Sequence, residues 1–180
     1  MSEQNEVICS ILSRRSIRKY TGAPVRREDL TTIVKAGMSA PSSRDTRHFC
    51  FIVVDDESVV KKLAEGLPYA KMLLSSKHAI IVASDLSLAH GGSSTDYWAQ
   101  DCSAATENVL LAAHALGLGA CWTAAHPRPE RVAFVKQLLG LPEAIMPLCV
   151  VAIGQHTGED KPRDKFDAAK VHWNSWGQAK

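Results

Sequence analysis

No apolar run in this chain approaches the roughly 20 residues needed to span a bilayer, which argues against a membrane-spanning protein. The N-terminal residues Met1 to Glu6 are polar and acidic and lack a secretory pattern, so the cytoplasm is the expected location. Charge of one sign is also scarce. The formal net charge is +2 and the sequence pI about 8.3, too mild for a nucleic-acid binder without a concentrated basic face. The five cysteines, Cys9, Cys50, Cys102, Cys121 and Cys149, include no Cys-x-x-Cys pair. Most have apolar neighbours, as in Phe49-Cys50-Phe51, and are expected to be reduced, buried and structural. The seven histidines are dispersed, with no pair at the spacing of a helical zinc site, so no metal is expected. A Gly-x-Gly-x-x-Gly after a strand, a phosphate loop ending in Gly-Lys-Ser and a Gly-x-Ser-x-Gly elbow are all missing. There is no internal repeat and no low-complexity segment.

What is present is a single domain's worth of chain. The 180 residues are 46% hydrophobic and 22% charged, enough for a real core. One feature stands out against the low net charge. Arg14-Arg15-Ser16-Ile17-Arg18-Lys19-Tyr20 packs four cations and a hydroxyl into one short stretch. Two readings fit it. Guanidinium forks offer paired, coplanar donors that suit a bound phosphate. Alternatively, the cations are solvated and favour the C-terminal dipole of a preceding helix.

Periodicity and punctuation predict the elements. A helix is expected over about 5–13 and a second from about Glu28 through Ala36, with Gly37 weakening its end. The Ser39–Asp45 stretch has the composition of an ordered loop, and 48–54 that of a buried strand. A helix over 58–65 and a strand over 78–83 follow, then a Ser/Gly-rich connection over 84–95 centred on Gly91–Ser94. The longest helix is expected over about 97–116. Its apolar residues cover more than one face, which predicts a central, largely buried position. Gly117 and Gly119 are read as its stop, followed by a strand at 120–123, a helix at 130–139 and a last strand at 147–153. Asp101 and Asn108 share a helix face, where a cap, a core hydrogen bond or chemistry would each account for them. The polar tail from Gly154 carries Phe166, Trp173 and Trp176, which suggests docking onto this subunit or another. The alternation is too irregular for a doubly wound fold, and an α+β domain fits better.

Five pieces occur in an order that resembles the FMN-dependent nitroreductase family over nearly the whole chain. They are the Arg14–Tyr20 run; Ala40-Pro41-Ser42-Ser43; Gln100 through Asn108; Leu116-Gly117-Leu118-Gly119-Ala120-Cys121-Trp122; and Lys161-Pro162-Arg163. The ending, Val171 to Trp176, is similar to that of the family's short members. The resemblance implies a three-layer α+β fold, in which helices surround a central mixed, mainly antiparallel sheet. It implies one domain over 1–180, with residues 155–180 as a tail that extends onto the partner subunit in a homodimer. It implies FMN at the subunit interface.

Carried over by position, Arg14, Arg15 and Ser16 would hold the FMN phosphate, joined by Arg163 and assisted by Lys161. Arg18 would approach the N1/O2 edge of the flavin, where a cation favours the reduced, anionic ring and raises its potential. Pro41, Ser42 and Ser43 would contact the flavin from the other subunit, with Asp45 close by. Lys71 falls either near the pyrimidine edge or on a solvated surface. The backbone at Trp122, Thr123, Ala124 and Ala125 would pass the ring and offer an amide to N5. The chain departs from the family where Asn and then Gln-Pro-Trp are usual: Asp45, Arg47, His48 and Phe49 stand there. Asp45 lacks the amide donors of asparagine. Arg47 would lie near the flavin or pair with Asp45, and the bulky Arg47-His48 pair would alter entry to the site.

The function implied is an oxidoreductase. NAD(P)H would pass a hydride to flavin N5, and a nitroaromatic, quinone or flavin-like acceptor would take it in a ping-pong cycle. No catalytic side chain is assigned, because the cofactor carries the difficult chemistry. The alternative is an FMN-binding carrier, sensor or electron-transfer protein without NAD(P)H turnover.

Overall fold

A computed structural model describes residues 5–88, 97–158, 161 and 163–178. Four strands form one sheet: β1 (Phe49–Val54), β2 (His78–Asp85), β3 (Gly119–Ala124) and β4 (Ile145–Gly154), in the order β1-β2-β4-β3. All three pairings are antiparallel, with Cys50 opposite Ala83, Ile81 opposite Val150 and Cys121 opposite Ala152. The only parallel element among the described residues is an isolated bridge between Ser16 and Ala120, which extends the sheet past β3. The sheet is therefore mixed and mainly antiparallel, as the resemblance implied.

Alternation along the strands makes two cores. Ile80, Val82, Cys149, Val151 and Ile153 point to one face, where they meet Leu30 and Ile33 of α2 (Arg27–Met38). Cys102, Ala105 and Val109 of α5 (Trp98–Ala115) complete that layer. Val54, Ala79, Ile81, Val150 and Ala152 point to the other face, against α3 (Glu57–Gly66), α4 (Leu73–Ser76) and α6 (Pro129–Leu139). The result is the three-layer arrangement of helices around a sheet. Both β2 and β4 are covered on both faces, which explains their unbroken apolar sequences.

Local chemistry sets the ends. The Asn5 side chain accepts from the amides of Val7 and Ile8 and starts α1 (Glu6–Ser13). Asp56 does the same for α3, and Pro129 opens α6. Gly117, at φ 71°, lets the Leu118 amide reach back to the Ala113 carbonyl at 2.8 Å and closes α5.

Several expectations change. Gly37 does not weaken the end of α2 but lies inside it, where a Cβ would stand 2.7 Å from the Phe51 ring and 2.9 Å from Val109 Cγ2. It is there for close helix–sheet packing. Gly119 belongs to β3 rather than to the stop of α5. The strand β1 begins at Phe49, and His48 is buried just ahead of it. The short helix α4 was not foreseen. Gly91–Ser94 lie outside the described residues.

Candidate functional site

The cationic run is not a helix. It leaves α1 at Arg14 as extended chain and lies along the outer edge of β3. The Ile17 amide donates to the Ala120 carbonyl at 2.9 Å, and further on Tyr20 bridges His156. Ile17 and Tyr20 are buried, so the chain is anchored by its apolar residues while Ser16, Arg18 and Lys19 face outward. Close approach requires Gly119, because a Cβ there would sit 2.7 Å from Ile17 Cγ2.

Arg14 is oriented from behind. Its Nε donates to Glu107 of α5 at 3.1 Å, which directs the outer Nη groups of the fork. The preceding Ser13 hydroxyl donates to the Cys9 carbonyl at 2.7 Å and so accepts from His114 Nε2 at 2.8 Å. Burial, then neighbouring Arg14 and His156, push the His114 pKa below its usual 6.5. Arg15 carries a buried Nη1 with no hydrogen-bond partner. An unsatisfied buried guanidinium N–H beside Arg14 and Ser16 fits a phosphate that would receive it. Burial pushes the Cys121 thiol up, while the charges of Arg18 and Arg14 pull the other way.

Arg18 and Lys71 come together on a cleft of about 1050 Å³, which Tyr69 and Glu65 also line. Lys71 is exposed there. The edge of β3 supplies the expected backbone donors. Strand alternation sends the Ala120 carbonyl outward and the Ala125 amide inward to Leu148, so the Trp122 and Ala124 amides face the free edge. The Thr123 side chain is buried, and Ala124 offers its carbonyl to Arg131 at 3.3 Å.

The second segment is the turn after α2. Pro41 is exposed, and Ser42 and Ser43 are half-buried. Arg44, Asp45 and Arg47 all adopt left-handed backbone, at φ 53°, 56° and 49°. Such residues each cost on the order of 1–3 kcal/mol unless their surroundings impose the conformation. Asp45 does not reach inward. It forms a two-pronged pair with Arg47, at 2.6 and 2.8 Å, in solvent. That pair holds the Asp45 carboxyl below its usual value. His48 does not guard an entrance, because it is 1% exposed. Its Nε2 lies 3.0 Å from Asp101 Oδ2, and the same oxygen accepts the Ser43 amide at 2.8 Å. The roles of His48, Asp101, Glu107 and His114 all rest on contacts across long stretches of sequence. Sequence reading marked His48 as a departure and left Asp101 open, with no local signal to join them.

Lys161 and Arg163 are exposed, and Pro162 lies outside the described residues. The Thr21 amide donates to the Gln155 carbonyl at 2.8 Å and the Thr157 amide to the Lys19 carbonyl at 3.3 Å, so the first residues after β4 pair with the end of the cationic run and the residue that follows it. Beyond Thr157, Phe166 and Trp176 are 77% and 89% exposed.

The sequence model of the nitroreductase family matches residues 11–67 and 65–155. The chain belongs to the nitroreductase family. A protein of Archaeoglobus fulgidus, provisionally named an NADH dehydrogenase/NAD(P)H nitroreductase, is 40% identical over 174 residues, covering 95% of this chain and 99% of that one. A crystal structure from Parabacteroides distasonis with the same provisional name matches at TM-score 0.91 and 43% identity, covering 96% and 100% of the two chains. An FMN-dependent nitroreductase from Clostridium difficile matches at TM-score 0.85 and 32% identity, covering 94% and 99%. These likenesses span the cationic edge, the strained turn and β3 alike.

Proposed function

We propose that this nitroreductase works by a ping-pong cycle between NAD(P)H and a small oxidised acceptor, of the nitroaromatic, quinone or flavin class. The chain is an NAD(P)H-dependent oxidoreductase whose cofactor is FMN, in keeping with its family. FMN, when bound, would supply the redox chemistry, acceptance and donation of a hydride, while the protein's residues bind and orient it. The observation that carries the reading is the cationic edge: oriented Arg14, Arg15 with an unsatisfied buried donor, and exposed Ser16, all on one extended segment beside β3.

In this reading Arg14, Arg15 and Ser16 bind the phosphate, with Lys161 and Arg163 added from the tail. Several charge-assisted donors offset the hydration that a nearly dianionic phosphate loses. Arg18 would hold the pyrimidine side of the ring, with Lys71 on the same cleft, and would favour its electron-rich form. The outward amides of Trp122 and Ala124 would offer it a backbone donor. Ser42 and Ser43 would contact it from a second copy of the chain, with Pro41 and Asp45 beside them.

A homodimer is part of the proposal. Helix α1 buries no residue, and Val7 and Leu12 on it are 65% and 68% exposed. A groove of about 530 Å³ lined by Val7, Ile11, Leu111 and Ala112 continues this apolar surface. A patch of that kind, together with an aromatic tail, calls for a partner. A second copy answers for both, each tail reaching across to the other subunit.

Anaerobic visible spectra of the FMN-loaded protein test the cycle as NADH and then NADPH are added. Bleaching of the flavin bands on the timescale of turnover is expected with at least one nucleotide. Bound flavin that stays oxidised with both would overturn the nicotinamide half and favour a carrier or sensor.

A further inference from the structure

A buried polar chain runs from β2 to the strained turn. Ser84 on β2 lies 2.8 Å from His48 Nδ1, His48 Nε2 lies 3.0 Å from Asp101 Oδ2, and that oxygen accepts the Ser43 amide at 2.8 Å. Ser84 and His48 are 0% and 1% exposed. The proton assignment follows from chemistry. A carboxylate only accepts, so His48 donates Nε2–H to Asp101, and in a neutral imidazole Nδ1 then accepts the Ser84 hydroxyl.

Asp101 thus has two donors on one oxygen, one of them a backbone amide in the turn. The turn needs such a hold, since Arg44, Asp45 and Arg47 are all left-handed without being glycine. Two further bonds converge on Ser42. Its carbonyl accepts the Asp45 amide at 3.0 Å, and its hydroxyl accepts the Arg47 amide at 3.0 Å. With that lone pair engaged, the Ser42 hydroxyl keeps its proton free to donate elsewhere.

We propose that Asp101 and His48 are positioning residues: this buried carboxylate–imidazole pair, backed by Ser84, locks the turn over 42–47, with its left-handed Arg44, Asp45 and Arg47, in the form that presents Ser42 and Ser43 to the flavin. The inference rests on the placement of Ser42 and Ser43 at the flavin given above. It deepens that placement by assigning roles to two residues that do not touch the cofactor.

The test combines amide hydrogen exchange of the FMN-free protein with FMN titration and visible circular dichroism of the bound flavin. Asp101→Leu keeps the bulk but removes the one oxygen that both donors share. His48→Phe fills the space without the bonds, and His48→Gln restores a donor toward Asp101. In the first two, exchange should quicken over residues 42–47 while β2 and β4 stay protected. FMN should bind ~10-fold or more weakly, because the Ser43 amide loses its charged acceptor in Asp101→Leu and that acceptor loses its anchor in His48→Phe. The flavin dichroism should change, and His48→Gln should recover most of the His48→Phe effect. Unchanged exchange and affinity in Asp101→Leu would overturn the proposal. So would a general loss of protection with unchanged FMN affinity, which is a purely structural role. Faster turn exchange with unaltered affinity and dichroism would refute the flavin half and place Ser42 and Ser43 away from the cofactor. If these variants do not fold, Ser84→Ala removes only the outermost bond and should shift all three readouts in the same direction; no shift would again overturn the proposal. An unsubstituted protein that takes up no FMN would instead overturn the cofactor reading, and exchange would still report on the lock.

Discussion

Gly119→Ala asks whether the cationic edge depends on one missing methyl group. The new Cβ would stand 2.7 Å from Ile17 Cγ2, 3.0 Å from Ile17 Cβ and 3.0 Å from His156 Cβ. A side-chain rotation cannot relieve this, because Ile17 Cβ moves only with its backbone. That backbone is tied to Ala120 by a 2.9 Å hydrogen bond. The segment must shift by a few tenths of an ångström, and Arg14 to Arg18 shift with it. Overpacking of this kind costs about 1–3 kcal/mol. For a domain of this size each kcal/mol lowers the melting temperature by about 2–4 °C, so a drop of about 2–12 °C is expected.

The more telling number is the stabilisation that FMN adds. With free FMN at 100 times Kd, binding contributes about 2.7 kcal/mol; if the displaced cations weaken binding tenfold, the same concentration contributes about 1.4 kcal/mol. Thermal melts of both proteins, with and without FMN, measure both quantities. If Gly119→Ala melts lower but gains as much from FMN as the parent, the phosphate is not held by this segment. If it melts and binds like the parent, the steric argument itself is refuted.

Three other outcomes follow from the packing. Burial pushes the Cys149 thiol up to about 12 and Cys102 higher still, so at pH 8 about one Cys149 in 10⁴ is thiolate; a thiol-reactive dye on the folded protein should label at most Cys9 and Cys50, and rapid labelling of Cys102, Cys121 or Cys149 would contradict the core described. Asp56 accepts the Ser58 hydroxyl at 2.6 Å, the Val59 amide at 3.1 Å and the Ser58 amide at 2.8 Å, which depress its pKa below 3.8. A depressed carboxylate stabilises above its unfolded value and loses that contribution as pH falls through the folded one, so Asp56→Ala should lower the melting temperature at neutral pH and match the parent well below pH 3.8. A deficit that persists in acid would mean that the cap is not electrostatic. Leu12→Asp places a charge on the exposed face of α1 and should convert a dimer to a monomer in light scattering, with loss of FMN; an unchanged dimer would place the interface elsewhere.

Much of the fold was legible because its signals are local. The apolar residues of α5 surround more than one face, and the helix is indeed enclosed, with Cys102, Ala105, Val109 and Ala113 fully buried. β2 and β4 read as strands because both faces are covered. Where reading failed, the deciding contact lay far away in sequence. Gly37 resembles a helix terminator until Phe51 and Val109 are seen against it. His48 resembles an obstacle at a cleft until Ser84 and Asp101 enclose it. The Arg14–Arg18 cluster was conspicuous, yet no local pattern indicates that it pairs with Ala120. The four-residue α4 has neither a side-chain cap nor room for a periodic pattern.

Helix α5 explains how distant segments share one site. Asp101 and Asn108 are seven residues apart, as are Glu107 and His114, and two turns of helix take about 7.2 residues. Each pair therefore forms a stripe. The first stripe holds the end of α2 and the turn after it: Asn108 donates to the Ala36 carbonyl at 3.1 Å, and Asp101 takes the Ser43 amide. The second holds the end of α1 and the cations after it: His114 reaches Ser13, and Glu107 engages Arg14. The buried faces between the stripes fix α5 against the sheet, so neither segment can drift without the core moving too. The polar residues of a largely apolar helix thus set one extended segment and one tight turn. That division places the chemistry on adaptable chain and the geometry on a rigid element, the arrangement a preorganised cofactor site requires.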